Sequence, residues 1–271
     1  MNNKLASIVL QKQRDIALLK QRMSDNKKHP IAQVLAGQLH YPSPCSFKDA
    51  LQSSSLSIIA EIKRKSPSKG MIAPISDPVD LAQRYIAGGA NALSILTDTV
   101  FFGGHIDDLS KVAKETKAYS IPILRKDFII DPVQIAEAQV AGASAVLCIV
   151  AILGKKIKRL LEFAHSINMD VLVEIHDVDE LQIALDSGAK MIGVNNRNLK
   201  TFDVDTDCAL KIIDKIPSEI ISVAESGITH FVLAQQYYQV GFDAVLIGEA
   251  LVKSDNPKQF IEQCRHESSH H

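Results

Sequence analysis

Four glycines recur along the chain at intervals of about 50 residues, and each is followed by a short spacer and an apolar run. Glycine just past a helix supplies the left-handed conformation that ends it. A strand and its following helix need roughly 20–30 residues, so each interval has room for two such units. The glycines are Gly89, Gly142, Gly188 and Gly241.

Four further apolar runs lie between these segments, at 58–62, 121–124, 171–175 and 220–224. They lack polar alternation, which is typical of parallel strands buried on both faces. Amphipathic segments separate the runs, at 79–87, 133–140, 157–164, 181–185 and 231–238. Eight strand–helix units in series predict a closed (β/α)8 TIM barrel. An open doubly wound sheet is the alternative, although no GxGxxG motif follows the first strand.

The first 48 residues fall outside this repeat. Their apolar residues recur at helical spacing, and we expect one or two helices that pack on the barrel. The apolar residues are Leu5, Ile8, Val9, Ile16, Leu19 and Met23. The predicted organisation is an N-terminal helical extension at 1–48, a catalytic barrel at 49–265 and a polar tail at 266–271. The histidines of the tail are interpreted as a frayed end or an expression remnant, not as a metal site.

Composition excludes several classes of protein. The chain has 271 residues, 30 Lys and Arg against 31 Asp and Glu, and 46% hydrophobic residues. So much apolar content excludes a disordered chain, and near-neutral charge offers no electrostatic case for nucleic-acid binding. No apolar run approaches the ~18 residues that span a bilayer. The four cysteines form no CxxC pair, so we expect a cytoplasmic protein with no metal site, no nucleic-acid partner and no membrane partner.

Ionisable or amide side chains stand at the ends of six predicted strands, where barrel enzymes place their active sites. Side chains two apart on a strand share a face. The pairs that share a face are Glu61 with Lys63, Glu174 with His176, and Asn195 with Arg197; Asp98, Lys126 and Glu225 end the other three strands.

Any one of these groups is equally consistent with an ordinary charge on the barrel rim. The set is not, because burying several charges carries a desolvation penalty that a layer of Val, Ile and Leu would avoid. Two lysines and two or three glutamates in one cup shift each other's pKa values. One group can then donate a proton at neutral pH while another accepts it.

The turns after the seventh and eighth strands have a different character. Ser226-Gly227 and Gly248-Glu249 are small or flexible at the place where barrel enzymes bind phosphate through backbone N–H groups. Tight strand-to-helix turns are the alternative interpretation.

The long basic loop that leaves the first strand has a length and a Gly and Pro content that suit a lid. Lys65 and Lys69 within it are interpreted as solvated charges. Phe102 and Phe128 are expected either in the core or in the wall of a pocket for a flat apolar group.

These segments together resemble the indole-3-glycerol phosphate synthase family. The resemblance covers about residues 58–251 and includes Glu-Ile-Lys-Arg-Lys-Ser-Pro-Ser-Lys-Gly at 61–70 and Pro-Ile-Leu-Arg-Lys-Asp-Phe at 122–128. Further matching segments lie at 93–98, 172–176, 192–199, 223–228 and 245–249. The residues that match the family's active-site positions are Glu61, Lys63, Ser66, Lys126, Glu174, Asn195, Arg197, Glu225 and Ser226.

The resemblance implies an activity and a role for each residue. The family's substrate, 1-(2-carboxyphenylamino)-1-deoxyribulose 5-phosphate, is closed to indole-3-glycerol phosphate with loss of carbon dioxide and water. By resemblance, Lys126 is the general acid at the ketone, and Lys63 holds the anthranilate carboxylate and protonates the departing hydroxyl. Glu174 is the principal base, assisted by Glu61.

The remaining roles implied by the resemblance concern binding. Asn195, Arg197 and Glu225 orient the substrate, and Phe102 and Phe128 flank the anthranilate ring. The phosphate is bound or framed by Ser66, Ser226, Gly227, Gly248 and Glu249, the last through its backbone N–H. No cofactor is expected, and the partners to consider are other tryptophan-pathway enzymes.

Two alternatives remain at this stage. The isomerase that acts on phosphoribosylanthranilate shares the barrel and the phosphate site, but one acid and one base can serve its proton transfers, so two inward lysines fit it less well. The other is an inactive barrel kept as a partner-binding subunit, which retention of the matched ionisable residues disfavours.

Overall fold

The computed structural model describes residues 4–26, 28–41, 45–199, 201 and 203–265. The predicted polar tail at 266–271 therefore lies outside the described residues.

Eight parallel strands form a closed barrel, which confirms the predicted TIM barrel and excludes the open sheet. The described strands are β1 Ser57–Ile62, β2 Lys65–Ser66, β3 Gly70–Met71, β4 Ala92–Leu96, β5 Ile123–Lys126, β6 Ala145–Ile149, β7 Asp170–Ile175, β8 Met191–Asn195, β9 Ile221–Glu225 and β10 Ala244–Ile247. The barrel consists of β1 and β4 to β10, and β10 closes it by pairing with β1. β2 and β3 form a small antiparallel hairpin in the loop after β1.

Every barrel strand is followed by at least one helix. The described helices are α1 Lys4–Ser24, α2 Pro30–Leu35, α3 Phe47–Leu51, α4 Pro78–Ala87, α5 Thr99–Phe102, α6 Ile106–Glu115, α7 Pro132–Val140, α8 Val150–Leu153, α9 Ile157–Ser166, α10 Val178–Asp186, α11 Asp207–Ile212, α12 Phe231–Gln239, α13 Glu249–Lys253 and α14 Pro257–Arg265. No helix within the described ranges combines the length and the apolar character needed to cross a bilayer.

Local sequence explains where several helices begin. Asp77 and Asp131 each precede a proline and accept a hydrogen bond from the second residue beyond, Val79 N–H at 2.8 Å and Val133 N–H at 2.9 Å. Proline at the first helical position needs no N–H partner, and the aspartate satisfies a donor that the helix leaves free.

The third predicted strand, 121–124, begins two residues later in the structure, at Ile123. Pro122 explains the shift because it has no N–H to give to a neighbouring strand. Its carbonyl still accepts a hydrogen bond from Leu93 N–H at 3.0 Å.

The core has two layers because alternate side chains of each strand face opposite ways. Outward-facing residues such as Ile58, Val173 and Val245 pack against the helices. Inward-facing residues such as Ile59 and Leu172 fill the lumen of the barrel. The barrel is thus a packed core, and polar chemistry is confined to its ends.

Two helices, α1 and α2, lie within the described part of residues 1–48, in agreement with the expected one or two, and a third, α3, crosses the predicted boundary at residue 48. The extra element is α3, whose five residues are too few to show a helical repeat. Ser46 caps its N-terminus, with a hydroxyl that accepts from Asp49 N–H at 3.1 Å.

Candidate active site

The site lies at the carboxyl end of the barrel, where the alternation of the strands continues into polar residues. Each of four strands places an apolar residue in the lumen and, two residues further on, an ionisable residue at the mouth. These pairs are Ile59 and Glu61 on β1, Leu124 and Lys126 on β5, Leu172 and Glu174 on β7, and Val223 and Glu225 on β9.

A cavity of about 280 Å³ opens at this mouth. Its lining includes all the site residues selected from the sequence, namely Glu61, Lys63, Ser66, Phe102, Lys126, Phe128, Glu174, Asn195, Arg197, Glu225, Ser226, Gly227, Gly248 and Glu249. Residues from five barrel strands, the hairpin loop and two strand-to-helix turns therefore meet around one space. Their roles in catalysis stay predictions, which are developed below.

Lys126 stands between two buried carboxylates. Its Nζ lies 2.9 Å from Oε2 of Glu174 and 2.9 Å from Oε2 of Glu225. The two glutamates are each 1% exposed. A lysine ammonium has three N–H donors, so these two bonds leave one N–H for a bound molecule.

The close packing of these charges separates their pKa values. Burial works against the charged Lys126, but Glu174 and then Glu225 outweigh it and raise the lysine pKa. Burial raises the pKa of Glu225 to about 7, with Lys126 opposing and Glu174 adding to the increase. Burial also acts to raise the pKa of Glu174, but Lys126 and then His176 overcome it and lower that pKa. At neutral pH the cluster thus holds a protonated lysine, an ionised Glu174 and a Glu225 that is partly protonated.

A second lysine–glutamate pair lies on β1 and just beyond it. Lys63 Nζ is 2.5 Å from Oε1 of Glu61. Gly248, at the end of β10, leaves the room for this pair, because a Cβ there would stand 2.3 Å from that same carboxylate oxygen. Glycine at 248 therefore has a packing reason beyond the turn itself.

Asn195 and Arg197 follow each other along the end of β8. The Asn195 side-chain oxygen accepts a hydrogen bond from Arg197 N–H at 2.9 Å. The Arg197 guanidinium donates to the Ser68 hydroxyl at 3.2 Å. This contact connects the end of β8 to the hairpin loop above the cavity.

One wall of the cavity is apolar. The rings of Phe102 and Phe128 have centroids 5.9 Å apart and are tilted at 44°. Leu5 and Ile8 of α1 line the same cavity. The wall can hold a flat aromatic group, which supports the pocket interpretation of the two phenylalanines.

The turn after β9 has an unusual backbone. Ser226 and Gly227 both adopt the left-handed region, with φ of 66° and 82°. A serine in this region is uncommon and marks a position held by its surroundings. The Asn196 amide donates to the Ser226 carbonyl at 3.1 Å and helps to hold the turn.

The loop after β1 extends over the cavity as the β2–β3 hairpin. Lys69 Nζ lies 2.8 Å from a Glu249 carboxylate oxygen, which also contacts Lys253 at 2.7 Å. Lys65 donates to the Val100 carbonyl at 2.7 Å. The two lysines were expected to be solvated charges. Lys69 is exposed, and each lysine also contacts the segment after a strand adjacent to β1.

Sequence reasoning missed Lys12 of α1. Its Nζ lies 2.8 Å from Asp98 and 2.8 Å from Asp127, both buried. The same two aspartates accept hydrogen bonds from the backbone N–H groups of Phe102, at 3.1 Å, and Phe128, at 2.8 Å. Position 12 shares the buried face of α1 with residues four before and four after it. A lysine on an apolar helical stripe was therefore the available signal.

No group of histidine, cysteine and carboxylate side chains suited to hold a metal ion occurs within the described ranges. The site is built instead from lysine–carboxylate clusters, an aromatic wall and a glycine-containing turn.

A parallel eight-stranded barrel with acid–base groups at its carboxyl mouth, and small-residue turns after its last two strands, defines a barrel enzyme of the class that acts on phosphorylated small molecules. The family is more specific than this class. The chain belongs to the indole-3-glycerol phosphate synthase family, whose family model matches residues 5–264.

Curated relatives of this family align with the chain over most of their lengths. An indole-3-glycerol phosphate synthase of Opitutus terrae is 43% identical over 270 residues, covering 98% of this chain and 99% of the relative. That of Mycolicibacterium gilvum is 44% identical over 232 residues, or 85% of this chain and 84% of the relative. That of Mycolicibacterium vanbaalenii is 46% identical over 221 residues, or 81% and 80%.

Solved structures of lower identity show the same fold. A 3-hexulose-6-phosphate synthase from Salmonella typhimurium aligns with a TM-score of 0.62 at 13% identity, covering 77% of this chain and 96% of that one. A thiamine phosphate pyrophosphorylase from Pyrococcus furiosus aligns with a TM-score of 0.59 at 16% identity, covering 81% and 96%. At these identities the likeness concerns the barrel alone.

Proposed function

We propose that the cavity converts 1-(2-carboxyphenylamino)-1-deoxyribulose 5-phosphate into indole-3-glycerol phosphate, with loss of carbon dioxide and water. The chain is then a carboxy-lyase of tryptophan biosynthesis. The observation that supports this most is Lys126 held between two buried glutamates, beside a second lysine–glutamate pair. Such a site offers two acids and a base within one cavity, which a reaction of three successive bond changes requires.

Binding begins at the two charged ends of the substrate. The phosphate is placed against the turns of Ser226-Gly227 and Gly248-Glu249, with the Ser66 hydroxyl closing from the hairpin. The anthranilate ring lies along the wall of Phe102 and Phe128. Its carboxylate faces Lys63, while Asn195, Arg197 and Glu225 orient the chain between the two ends.

Ring closure forms a carbon–carbon bond between the ring carbon that carries the carboxylate and the ketone carbon. The ketone oxygen takes a proton from Lys126 as this bond forms, so that no alkoxide accumulates. Glu225 can return a proton to Lys126, since its pKa of about 7 matches neutral solution. Loss of carbon dioxide then leaves the bonding electrons in the ring and neutralises the iminium formed at nitrogen.

Dehydration completes the indole. The hydroxyl on the former ketone carbon leaves as water with a proton from Lys63. Glu174 removes a proton from the neighbouring methylene carbon, and the carbon–carbon double bond of the five-membered ring forms. Glu61 assists by holding Lys63, with which it is in direct contact.

The organisation of the chain fits this assignment. We propose that residues 1–48 act as an extension that completes the mouth and that 49–265 form the catalytic barrel, because α1 supplies Leu5, Ile8 and Lys12 to the rim. A cytoplasmic location and association with other tryptophan-pathway enzymes are the finer predictions, to be checked by cell fractionation and by co-purification.

Incubating the purified chain with the substrate while recording indole fluorescence tests the proposal. We expect turnover by the chain, a loss of at least ~10²-fold in Glu174→Gln and little change in Glu162→Gln, an exposed glutamate on α9. Phosphoribosylanthranilate serves as the parallel substrate. Isomerisation of that compound without indole formation, or no turnover of either, would contradict the proposal.

A further inference from the structure

His176 lies beyond the residues so far assigned a role, although it shares a face with Glu174 at the end of β7. Its Nε2 is 3.7 Å from Glu174 Oε1, slightly beyond hydrogen-bonding distance. Neither of these two buried atoms has a hydrogen-bond partner within the described part of the chain. Two unsatisfied polar atoms that face each other in a buried site require a functional explanation.

The other side of the imidazole is fixed by Glu180 of α10. His176 Nδ1 lies 3.1 Å from Glu180 Oε2, and that oxygen also accepts the backbone N–H of His176 at 2.8 Å. The N–H of Glu180 in turn donates to the Asp177 carboxylate at 2.8 Å, which caps the helix. With Nδ1 bound to a carboxylate, the remaining ring nitrogen is directed at Glu174.

The ionisable groups around His176 come from several elements. Glu174 faces it from its own strand, Glu180 from α10 and Glu225 from β9, and the Cys208 thiol of α11 donates to the His176 carbonyl at 3.2 Å. Lys126 lies on the far side of Glu174. Burial works to lower the pKa of His176, but the hydrogen bond to Glu180 and the charge of Glu174 outweigh it and raise that pKa. The immediate surroundings therefore favour the imidazolium.

We infer that His176 is a positioning residue of this site: oriented by Glu180, its imidazolium holds Glu174 in the ionised, proton-accepting form. The inference rests on the proposed function, in which Glu174 is the base. Glu174 then has cations on two sides, Lys126 at 2.9 Å from one oxygen and His176 at 3.7 Å from the other. The lysine is needed as an acid, so the histidine is the cation that remains when Lys126 has given its proton to the ketone.

The consequence is a specific pH dependence. The acid limb of the kcat/KM profile reports protonation of the base in the free enzyme. A cation within about 4–6 Å lowers a carboxyl pKa by about 1–3 units, so removing the imidazolium moves this limb to higher pH. Above the pKa of His176 the native imidazole is neutral, and the profiles of native and variant enzyme converge.

The test compares kcat/KM between pH 4 and 9 for the native chain, His176→Asn, Glu180→Gln and a control, His165→Asn, on the exposed face of α9. We expect His176→Asn to shift the acid limb upward by about one pH unit, so that the loss approaches about tenfold at the acid end of this range and is less than about twofold near pH 9. Glu180→Gln should shift the limb the same way by less, because the imidazole stays but loses its fixed orientation. His165→Asn should overlay the native profile.

A loss of equal size at every pH in His176→Asn, or an unmoved acid limb in both variants, would overturn the inference. If His176→Asn does not fold by circular dichroism, Glu180→Gln alone decides. The parallel variant Glu174→Gln distinguishes a failure of the His176 inference from a failure of the proposed function. An inactive Glu174→Gln with an unmoved His176→Asn limb overturns only the role of His176, whereas an active Glu174→Gln overturns the proposed base and this inference with it.

Discussion

Replacing Lys126 by methionine tests the centre of the proposed site. The substitution keeps most of the side-chain volume but removes the cation that separates Glu174 and Glu225. Since both carboxylates contact the same ammonium at 2.9 Å, they lie within about 6 Å of each other, a distance at which like charges shift each other's pKa.

The magnitude follows from this geometry. With an effective dielectric constant of about 20, two unit charges about 6 Å apart repel by about 3 kcal/mol. One glutamate relieves the repulsion by binding a proton, so its pKa in the folded variant lies above its unfolded value. Such a group stabilises the fold below its unfolded pKa and loses that contribution as pH rises through its folded pKa. We expect Lys126→Met to be destabilised by about 3 kcal/mol at pH 7.5 and by clearly less at pH 5.

The loss of kcat in Lys126→Met should be much larger than its loss of stability would explain. Without the general acid, kcat should drop by at least ~10²-fold at every pH where the protein is folded. The assay is product fluorescence at saturating substrate, with urea unfolding at the two pH values and Lys158→Met, at an exposed position of α9, as the matched control. Near-native turnover would remove Lys126 from the chemistry, and equal destabilisation at both pH values would refute the proposed repulsion between the glutamates.

Three further substitutions test the surroundings of the cluster. Lys12→Met should lower the free energy of unfolding by about 3–5 kcal/mol in urea titrations, because it removes the cation that Asp98 contacts and leaves Asp127 with Arg125 alone. Adding Asp98→Asn should restore part of the loss, and a purely additive double variant would contradict this. Gly248→Ala should raise KM by at least tenfold in steady-state assays, because its Cβ would meet Glu61 at 2.3 Å. Unchanged kinetics would show that the Glu61–Lys63 pair moves aside freely. Lys69→Ala should change stability by less than about 1 kcal/mol, since the pair with Glu249 is partly exposed, but it should raise KM severalfold by freeing the hairpin, and a native KM would argue that the hairpin needs no such contact.

The barrel was predictable because its local signals repeat. A glycine that ends each helix and an apolar run that follows it are both properties of short segments, so eight strands could be placed before any contact was known. The mouth was predictable for a related reason. Strand direction in a parallel barrel sends every strand end to the same side, so Glu61, Lys126 and Glu174 had to lie on one rim.

What the sequence did not show were pairings between distant segments. That side chains two apart on a strand share a face tells where a side chain points but not which residue it contacts. The contacts of Lys126 with Glu174 and Glu225 could therefore not be predicted. Lys12 reaches its aspartates only because α1 crosses the mouth of the barrel, and helix packing is decided by the whole surface. The β2–β3 hairpin was also missed, because its strands of two residues are too short to leave a pattern.

The seam where β10 meets β1 places residues from opposite ends of the barrel sequence side by side in the site. Ser57 to Ala60 pair with Ala244 to Ile247, and Gly248, the residue after β10, stands against the Glu61–Lys63 pair. The Lys126 cluster comes from β5, β7 and β9, whereas this second pair and its glycine meet where the first and last strands of the ring join. Correct register at that one seam therefore sets the geometry of half of the acid–base groups of the site.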